Sequence, residues 1–305
     1  MKRRSFLKST LTAGLSAPFI GNTSLWANES DDYEKLVILH TNDTHSRIDP
    51  FESGEYKGMG GISNRKTMID LIRKTEKNVL LLDAGDIFQG TPYFNMYKGE
   101  LEIKAMSMLE YDAATMGNHD FDAGLDSLKK QLQFANFPFI VSNYDFKNTV
   151  LNNQTIPYKI FKKNGIKIGV IGLGIELNGL VSKDLYNDTL YNDPVETANH
   201  YAAILKNDEK CDLVIALSHL GYSYSDPNKI SDVNLAQYVD NVDIIIGGHT
   251  HTFLKCPKII EKKSKNFVII NQVGWGGINL GKLDIYFNKI SKKIEKNTGE
   301  LLKCQ

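Results

Sequence analysis

The feature that most constrains the fold is a set of short apolar runs, each ending in polar residues that can bind a metal or move a proton. Residues 111–115 form one such run, and Asn118 and His119 follow in the turn 116–122, just before a helical pattern begins. Other runs end in the same way, in front of Asp43-x-His45, Asp86, His219 and His249-x-His251. Buried parallel strands read as continuous apolar runs, and open α/β sheets carry their chemistry at the carboxyl ends of strands. The pattern is typical of a metal site at strand ends.

Strand and helix patterns alternate along the chain. Strands are predicted at 35–40, 79–82, 111–115, 213–217 and 244–246, and helices at 62–74, 100–109, 125–134 and 196–205. Residues 156–161 and 166–171 flank a glycine-containing turn and predict a hairpin. Alternating elements with antiparallel hairpins favour a layered α/β (α+β) domain. We expect one such domain over residues 35–288, followed by a solvated Lys-rich tail, residues 289–305.

Composition is that of a globular protein with a sizeable core. The chain has 305 residues, of which 42% are hydrophobic and 24% charged. Beyond residue 27 it carries 32 basic and 36 acidic residues, a net charge of −4. Because nucleic-acid polymers require clustered basic surface, we expect no binding to them. The three cysteines are too few for a disulfide framework, and none lies at metal-ligand spacing from a histidine.

The N-terminus resembles a twin-arginine export signal. Arg3 and Arg4 precede a weakly apolar stretch and a plausible cleavage site at Ala27, and this stretch is too polar to span a membrane. We therefore expect a signal peptide over residues 1–27, a spacer over 28–34, and the twin-arginine translocase as a partner during export. The mature chain would have no membrane span and would be periplasmic or extracellular. A disordered basic tail is the alternative interpretation.

The polar residues at the predicted strand ends suit two divalent metal ions. Oxygen and imidazole ligands without cysteine fit zinc, manganese, iron or cobalt and do not distinguish among them. Two such ions about 3.5–4 Å apart can activate a water and hold both oxygens of an in-line displacement at phosphorus. With Asp43 and Asp86 as the only anionic ligands, the loaded site stays positive, which favours an anionic phosphate substrate.

His119 is predicted to act on the substrate rather than on a metal. Beside the ions it would stabilise a developing oxyanion or give a proton to the leaving oxygen, and Asp122 would hold its other ring nitrogen. Simpler interpretations exist for several of these residues. The turn 116–122 could be an ordinary polar loop, His219 could be an interior histidine, and Asp83 is read as a loop brace outside the ligand set.

Together the motifs resemble those of the calcineurin-like metallophosphoesterases, and more narrowly the catalytic domain of bacterial 5′-nucleotidases and UDP-sugar hydrolases. The resemblance rests on residues 39–45, 83–90, 117–124 and 246–251 and extends over about residues 36–287. It implies a four-layer α-β-β-α sandwich of the metallo-dependent phosphatase type with a two-metal centre.

The family's residue roles can be transferred position by position. The resemblance assigns one ion to Asp43, His45, Asp86 and His251. It assigns the other to Asp86, Asn118, His219 and His249, with Asp86 as the bridge. His119 and Asp122 match the family's catalytic pair. Two departures stand out: Asp120 stands where the family often has glutamate, and we expect this protein to lack the C-terminal domain that holds the base and phosphate in two-domain nucleotidases.

These expectations combine into an exported two-metal enzyme that hydrolyses phosphate monoesters, with 5′-nucleotides as the leading substrates. One alternative is a phosphodiesterase or pyrophosphatase acting on cyclic nucleotides or nucleotide sugars, because such enzymes share the same ligands. Another is a catalytic subunit that requires a separately encoded partner resembling the C-terminal nucleotidase domain. Metal storage alone would not need the pair His119 and Asp122.

Overall fold

The structure is a computed structural model that describes residues 32–262 and 266–305. The predicted signal peptide, residues 1–27, lies outside the described residues, as do residues 28–31 of the predicted spacer. The end of that spacer is part of the fold, because the first strand already begins at Tyr33.

Strands and helices alternate through the first three quarters of the chain, and strands dominate the end. The strands are β1 (Tyr33–Thr41), β2 (Val79–Asp83), β3 (Ala113–Ala114), β4 (Tyr144–Asp145), β5 (Tyr158–Lys163), β6 (Ile166–Leu173), β7 (Leu190–Tyr191), β8 (Leu213–Ser218), β9 (Ile244–Gly247), β10 (Lys258–Glu261), β11 (Phe267–Asn271), β12 (Asn279–Asn288) and β13 (Ile294–Lys303). The helices are α1 (Ile62–Thr75), α2 (Pro92–Tyr97), α3 (Glu100–Met108), α4 (Leu125–Leu132), α5 (Lys183–Tyr186), α6 (Pro194–Ala203) and α7 (Asp232–Tyr238). A 3₁₀ turn, His119–Phe121, follows β3, and a π-helical turn, Ile204–Asp208, extends α6.

Most strands belong to two sheets. In the first, with order β13-β12-β1-β2-β3, the strands β1, β2 and β3 are parallel, β12 is antiparallel to β1, and β13 is antiparallel to β12. In the second, with order β10-β11-β9-β8-β6-β5, the four central strands are parallel and the two edge strands antiparallel. Parallel strands bring their carboxyl ends to one edge, so each sheet offers one edge for a site.

The side-chain alternation along β1 explains the layering. Leu36 and Ile38 face the second sheet, whereas Val37 and Leu39 face helices α1, α3 and α4. Strand β8 alternates in the same way between the first sheet and helices α6 and α7. A sheet that is apolar on both faces must be covered on both. The result is the four-layer α-β-β-α sandwich that the family resemblance implied.

The prediction of a solvated tail over residues 289–305 is wrong. Ile294–Lys303 forms β13, an edge strand paired with β12, and Cys304 is fully buried. Ile294 and Leu302 pack against the core while charged side chains point to solvent. Lysines on an edge strand hinder further strand pairing, so the same residues that suggested a tail fit an edge position. Among the described residues, no helix is long and apolar enough to cross a membrane.

Candidate metal centre

Five strand ends meet where the parallel edges of the two sheets face each other. Asp43 and His45 follow β1, Asp86 follows β2, and the turn with Asn118 follows β3. From the second sheet, His219 comes directly after β8, and His249 and His251 come after β9. The structure thus brings all seven predicted ligands together from two sheets.

The backbone at the site is strained. Five of the seven predicted ligands have positive φ angles: Asp43 (50°), His45 (48°), Asp86 (55°), His249 (75°) and His251 (53°). This conformation is uncommon for residues other than glycine, costs about 1–3 kcal/mol each, and concentrates at functional sites. Such a concentration on potential ligands is not expected of ordinary polar loops.

We call Asp43, His45 and His251 the outer cluster. Nε2 of His45 lies 3.0 Å from Nε2 of His251, which lies 3.4 Å from Oδ1 of Asp43. Nδ1 of His45 is 3.2 Å from the carbonyl oxygen of Phe88, which can only accept a hydrogen bond. A neutral His45 that donates from Nδ1 therefore presents the lone pair of Nε2 to the cluster. Orientation of a histidine by a backbone carbonyl is the usual arrangement around a bound metal.

We call Asp86, Asn118, His219 and His249 the inner cluster. Oδ2 of Asp86 is 3.0 Å from Nε2 of His219, and Oδ1 of Asn118 is 2.8 Å from Nδ1 of His249. Nδ1 of His219 is 2.7 Å from the carbonyl oxygen of Ala84 and donates to it. His219 is fully buried, and its Nε2 has no well-aligned hydrogen bond to a described residue. The inner cluster thus resembles the outer one, because in each a backbone carbonyl orients an imidazole. In the inner cluster this imidazole faces carboxylate and amide oxygens.

The electrostatics of both clusters favour a cation. Burial disfavours charge on His219, but the Asp86 carboxylate outweighs it and raises the pKa of His219 to about 10. Burial raises the pKa of Asp86, but neighbouring His219 and His45 bring it below its usual range. Burial lowers the pKa of His45, and lowers that of His249 to about 4, which favours the neutral form of both rings. Asp86 thus attracts positive charge in both clusters.

Glycine allows the close approach of the ligand loops. A Cβ on Gly117 would lie 2.1 Å from Oδ1 of Asp86 and 2.6 Å from Nε2 of His219. The two groups of three potential ligands, Asp43 with His45 and His251, and Asp86 with His219 and His249, each have their ligand atoms within 4.8 Å of one another. Oxygen and imidazole donors in two adjacent groups fit two divalent ions.

Asp120 holds the ligand loops together from behind. Its carboxylate accepts hydrogen bonds from the backbone N–H groups of Asp86 (3.0 Å), Ile87 (2.9 Å), Phe88 (3.1 Å) and Gly117 (2.8 Å). The loop after β2 is therefore tied to the loop after β3. The sequence marked Asp120 only as a departure from the family pattern and gave no sign of this role.

Gln272, which the sequence did not predict as a site residue, organises the loop that carries His249 and His251. The buried side chain accepts hydrogen bonds from the hydroxyl of Thr250 (3.0 Å) and the N–H of Thr252 (2.5 Å), and it donates to the carbonyl of Gly248. These contacts bracket His249 and His251. Because Gln272 follows β11 and belongs to no motif, no spacing signal pointed to it.

His119 and Asp122 lie beside the clusters. Nδ1 of His119 is 2.8 Å from Oδ2 of Asp122, and this hydrogen bond raises the pKa of the imidazole. The backbone N–H of His119 donates to Oδ1 of Asp86 at 2.8 Å. His119 also lines a pocket of about 360 Å³ that the outer-cluster histidines His45 and His251 share. The imidazole is thus oriented by a carboxylate at the mouth of the candidate centre.

The remaining polar residues of the region have structural contacts. Asp83 accepts hydrogen bonds from the Thr41 hydroxyl (2.5 Å) and the Gly85 N–H (2.9 Å), so it braces its loop and stands outside both clusters. His40 is buried near Asn271, and burial lowers its pKa to about 3. His200 lies on α6, away from the site.

Sequence comparison decides the family. The family model of the calcineurin-like phosphoesterases matches residues 36–253, which include every predicted ligand and the pair His119 and Asp122. The chain belongs to the calcineurin-like phosphoesterase family. Members of this family use a dinuclear divalent metal centre, in agreement with the two clusters.

Individual relatives narrow the relationship. A 5′-nucleotidase of Vibrio cholerae is 38% identical over 279 residues, which cover 87% of this chain and 50% of the relative. The solved structure of a 5′-nucleotidase precursor from Thermus thermophilus superposes with a TM-score of 0.81 at 31% identity, covering 88% of this chain and 54% of the other. The calcineurin-like phosphoesterase YfkN of Bacillus subtilis superposes with a TM-score of 0.71 at 26% identity, covering 89% and 91%. The chain spans about half the length of the curated relatives it matches.

Proposed function

We propose that this chain hydrolyses phosphate monoesters, with 5′-nucleotides as the leading substrates, at a centre of two divalent cations. The observation that carries the proposal is the oriented pair His119 and Asp122 beside the two clusters. A protein that merely stored metal would not need an imidazole held by a carboxylate at the mouth of the site. The names of the relatives, 5′-nucleotidases, support the substrate class.

The position of each predicted ligand suggests which cation it would hold. Asp43, His45 and His251 would hold one cation, and Asn118, His219 and His249 the other, with Asp86 shared between them. When bound, the cations would polarise the phosphoryl oxygens and lower the pKa of a nearby water. The shared position of Asp86 rests on its attraction to histidines of both clusters.

His119 would act on the leaving group. In hydrolysis a water oxygen bonds to phosphorus while the bond from phosphorus to the leaving oxygen breaks. His119 would give its ring proton to that oxygen, or hydrogen-bond to the developing negative charge. Asp122 fixes the ring orientation and favours the imidazolium through the 2.8 Å hydrogen bond to Nδ1.

The test is His119→Asn in the purified chain loaded with manganese or zinc. Loss of a general acid typically costs about 10²-fold or more in kcat. We expect that loss on nucleoside monophosphates, with both metals retained by elemental analysis. His200→Asn is the matched control, because His200 is an exposed histidine outside the site. Unchanged turnover in His119→Asn would refute the acid role, and absence of monoesterase activity in the wild-type chain would refute the proposed function.

A substrate panel separates the main proposal from its alternatives. Hydrolysis of a cyclic nucleotide or nucleotide sugar in preference to monophosphates would support the hypothesis of a diesterase or pyrophosphatase. Because the bacterial relative YfkN is called a trifunctional nucleotide phosphoesterase, that panel belongs in the first assay. Activity that appears only when a separate nucleotidase C-terminal domain is added would support the hypothesis of a catalytic subunit that requires a partner.

Export by the twin-arginine route is also proposed, on the strength of Arg3 and Arg4. Substitution of both by lysine is expected to keep the precursor in the cytoplasm. Cell fractionation with an antibody to the chain measures this, and normal export of the variant would exclude the twin-arginine route.

A further inference from the structure

We infer that this domain carries its own binding site for the nucleobase of its substrate, on the wall formed by Trp275 and Arg47 beside the metal centre. The inference rests on the proposed monoesterase function and deepens it. It concerns the planar aromatic part of the leaving group, which neither the ligand clusters nor the pair His119 and Asp122 would contact.

The position of the pocket connects this wall to the reaction. The pocket of about 360 Å³ is lined by His45, Arg47, Gln89, His119, His251 and Trp275, together with a glycine. If His119 protonates the leaving oxygen, the rest of the leaving group must extend from His119 into the adjoining space. That space is bounded by Arg47 and Trp275. Its volume lies at the lower end of the range for small-molecule sites, about 300–1,000 Å³, which suits one nucleoside.

Trp275 is fixed directly to the ligand loops. Its ring is stacked on the imidazole of His251, with centroids 5.9 Å apart and planes within 14°. On one side of it in sequence, the N–H of Gly276 donates to the carbonyl of Asp43 at 2.7 Å. On the other, the N–H of Gly274 donates to the carbonyl of Thr252 at 3.0 Å. Both ligand loops of the outer cluster therefore set the position of this indole, which makes it a preorganised surface.

Arg47 supplies a second flat surface, and no described residue pairs directly with its charge. Its guanidinium lies over the ring of Phe51 at 4.0 Å, and Phe51 packs edge-on against Trp275 with centroids 5.4 Å apart. Within the described residues, the Arg47 side chain has no hydrogen bond or ion pair, and its Nε is buried without a partner. The carboxylates of Asp49 and Glu52 act on its charge only at longer range. An arginine held flat by an aromatic ring, with no carboxylate bound to it, is suited to an electron-rich ligand.

Glycines make room for the aromatic cluster around this wall. A Cβ on Gly274 would lie 2.2 Å from the ring of Phe253, and a Cβ on Gly276 would lie 2.8 Å from the ring of Phe51. These rings therefore lie directly on the backbone that carries Trp275. The wall is a packed structure, and Trp275 has little freedom to leave the pocket.

The chemistry of the wall selects a nucleobase over a simple sugar or alkyl group. Bases stack on aromatic rings and on arginine planes whatever their identity, because every base has a π-face. Ribose without a base would gain nothing from these two surfaces. The wall therefore predicts a preference for nucleoside monophosphates over sugar phosphates, with only weak discrimination between bases.

Adenosine 5′-monophosphate and ribose 5-phosphate form a matched test pair, because they share the phosphate and differ by the base. We expect the wild-type chain, loaded with manganese, to prefer the nucleotide by about tenfold or more in kcat/KM, the scale of one stacked base. Trp275→Ala is expected to bring this ratio close to one, and Trp275→Phe to retain most of it. Tyr238→Ala, which removes an exposed aromatic ring from α7, should leave the ratio unchanged.

The remaining outcomes either overturn the base site or separate it from the proposed function. A wild-type ratio near one would overturn the base site while leaving monoesterase activity intact. An equal loss on both substrates in Trp275→Ala would show that the indole only supports His251, which also overturns the inference. If the wild-type chain hydrolyses neither substrate, the proposed function fails. Equilibrium dialysis of the two compounds with wild-type and Trp275→Ala protein then tests the base site alone: selective binding of the nucleotide, lost in the variant, supports it, and equal binding overturns it.

Discussion

The inner and outer clusters contain similar ligand types but are held in different ways. In the inner cluster the His219 side chain is 0% exposed, and this residue follows the end of β8 directly. In the outer cluster the His251 side chain is 41% exposed and belongs to a loop four residues beyond β9. His219 of the inner cluster is therefore positioned by the sheet itself, while His251 of the outer cluster depends on contacts between loops.

This difference assigns different tasks to the two sides. A buried cluster gains rigidity and protection from solvent, but its charges must be matched, because an unpaired buried charge is costly. The outer cluster opens on the pocket that His119 and Trp275 line, so it is the side that a substrate would reach first. We expect the inner cluster to dominate metal retention and folding, and the outer cluster to dominate turnover and substrate discrimination.

Asp86→Asn would have the largest effect, because this carboxylate would serve both clusters. We expect loss of metal and a decrease in kcat of about 10³-fold or more, since several kcal/mol of charge stabilisation depends on the bound cations. Elemental analysis and steady-state kinetics measure the two losses on the same preparation. An active variant with normal metal content would rule out Asp86 as the shared ligand.

His219→Ala and His251→Ala compare the clusters directly. His219→Ala removes the charged partner of the buried Asp86 carboxylate, so we expect the free energy of unfolding to fall by about 3–5 kcal/mol without metal. His251→Ala removes a half-exposed ring and should change metal-free stability by about 1 kcal/mol or less, while reducing turnover. Urea unfolding with a chelator and metal stoichiometry measure these effects. Equal destabilisation by both variants would contradict the division between the clusters.

Gln272→Ala would have the smallest effect and tests the support of the loop that carries His249 and His251. Loss of a residue that orients metal ligands typically costs 10–100-fold in metal affinity or activity, so we expect a decrease of about that size. Excess metal should restore much of the activity, because the ligands themselves remain. A titration of activity against free metal gives the result. Activity that excess metal does not restore would indicate a general folding defect instead.

The fold could be predicted for strands that are buried on both faces. Continuous apolar runs identified β1, β2, β8 and β9, because strands buried on both faces leave no other pattern. β13 escaped detection because an edge strand has only one protected face, and its Lys and Glu residues gave it the composition of a tail. Burial of Cys304 depends on pairing with β12, a contact that no local pattern encodes.

The sequence predicted which residues form the site, but not the loop contacts that hold them in place. Asp43, Asp86 and the tandem histidines follow apolar runs, and this position brings them to the same edges. Gln272 and Trp275 follow β11 and act through contacts across loops, which sequence spacing does not show. The positive φ angles at the ligands were likewise out of reach, because they result from how the loops close against each other.

The predicted metal ligands come from both halves of the sandwich. The outer cluster joins His45, after a strand of the first sheet, to His251, after a strand of the second, and the inner cluster joins Asp86 to His219 in the same way. Each bound ion would therefore act as a cross-link between the two sheets. Ligands that bind only the folded state add to its stability in proportion to the logarithm of their free concentration. The melting temperature of this domain would then report the metal supply of its surroundings, so that a chelator loosens the layers as well as stopping the chemistry.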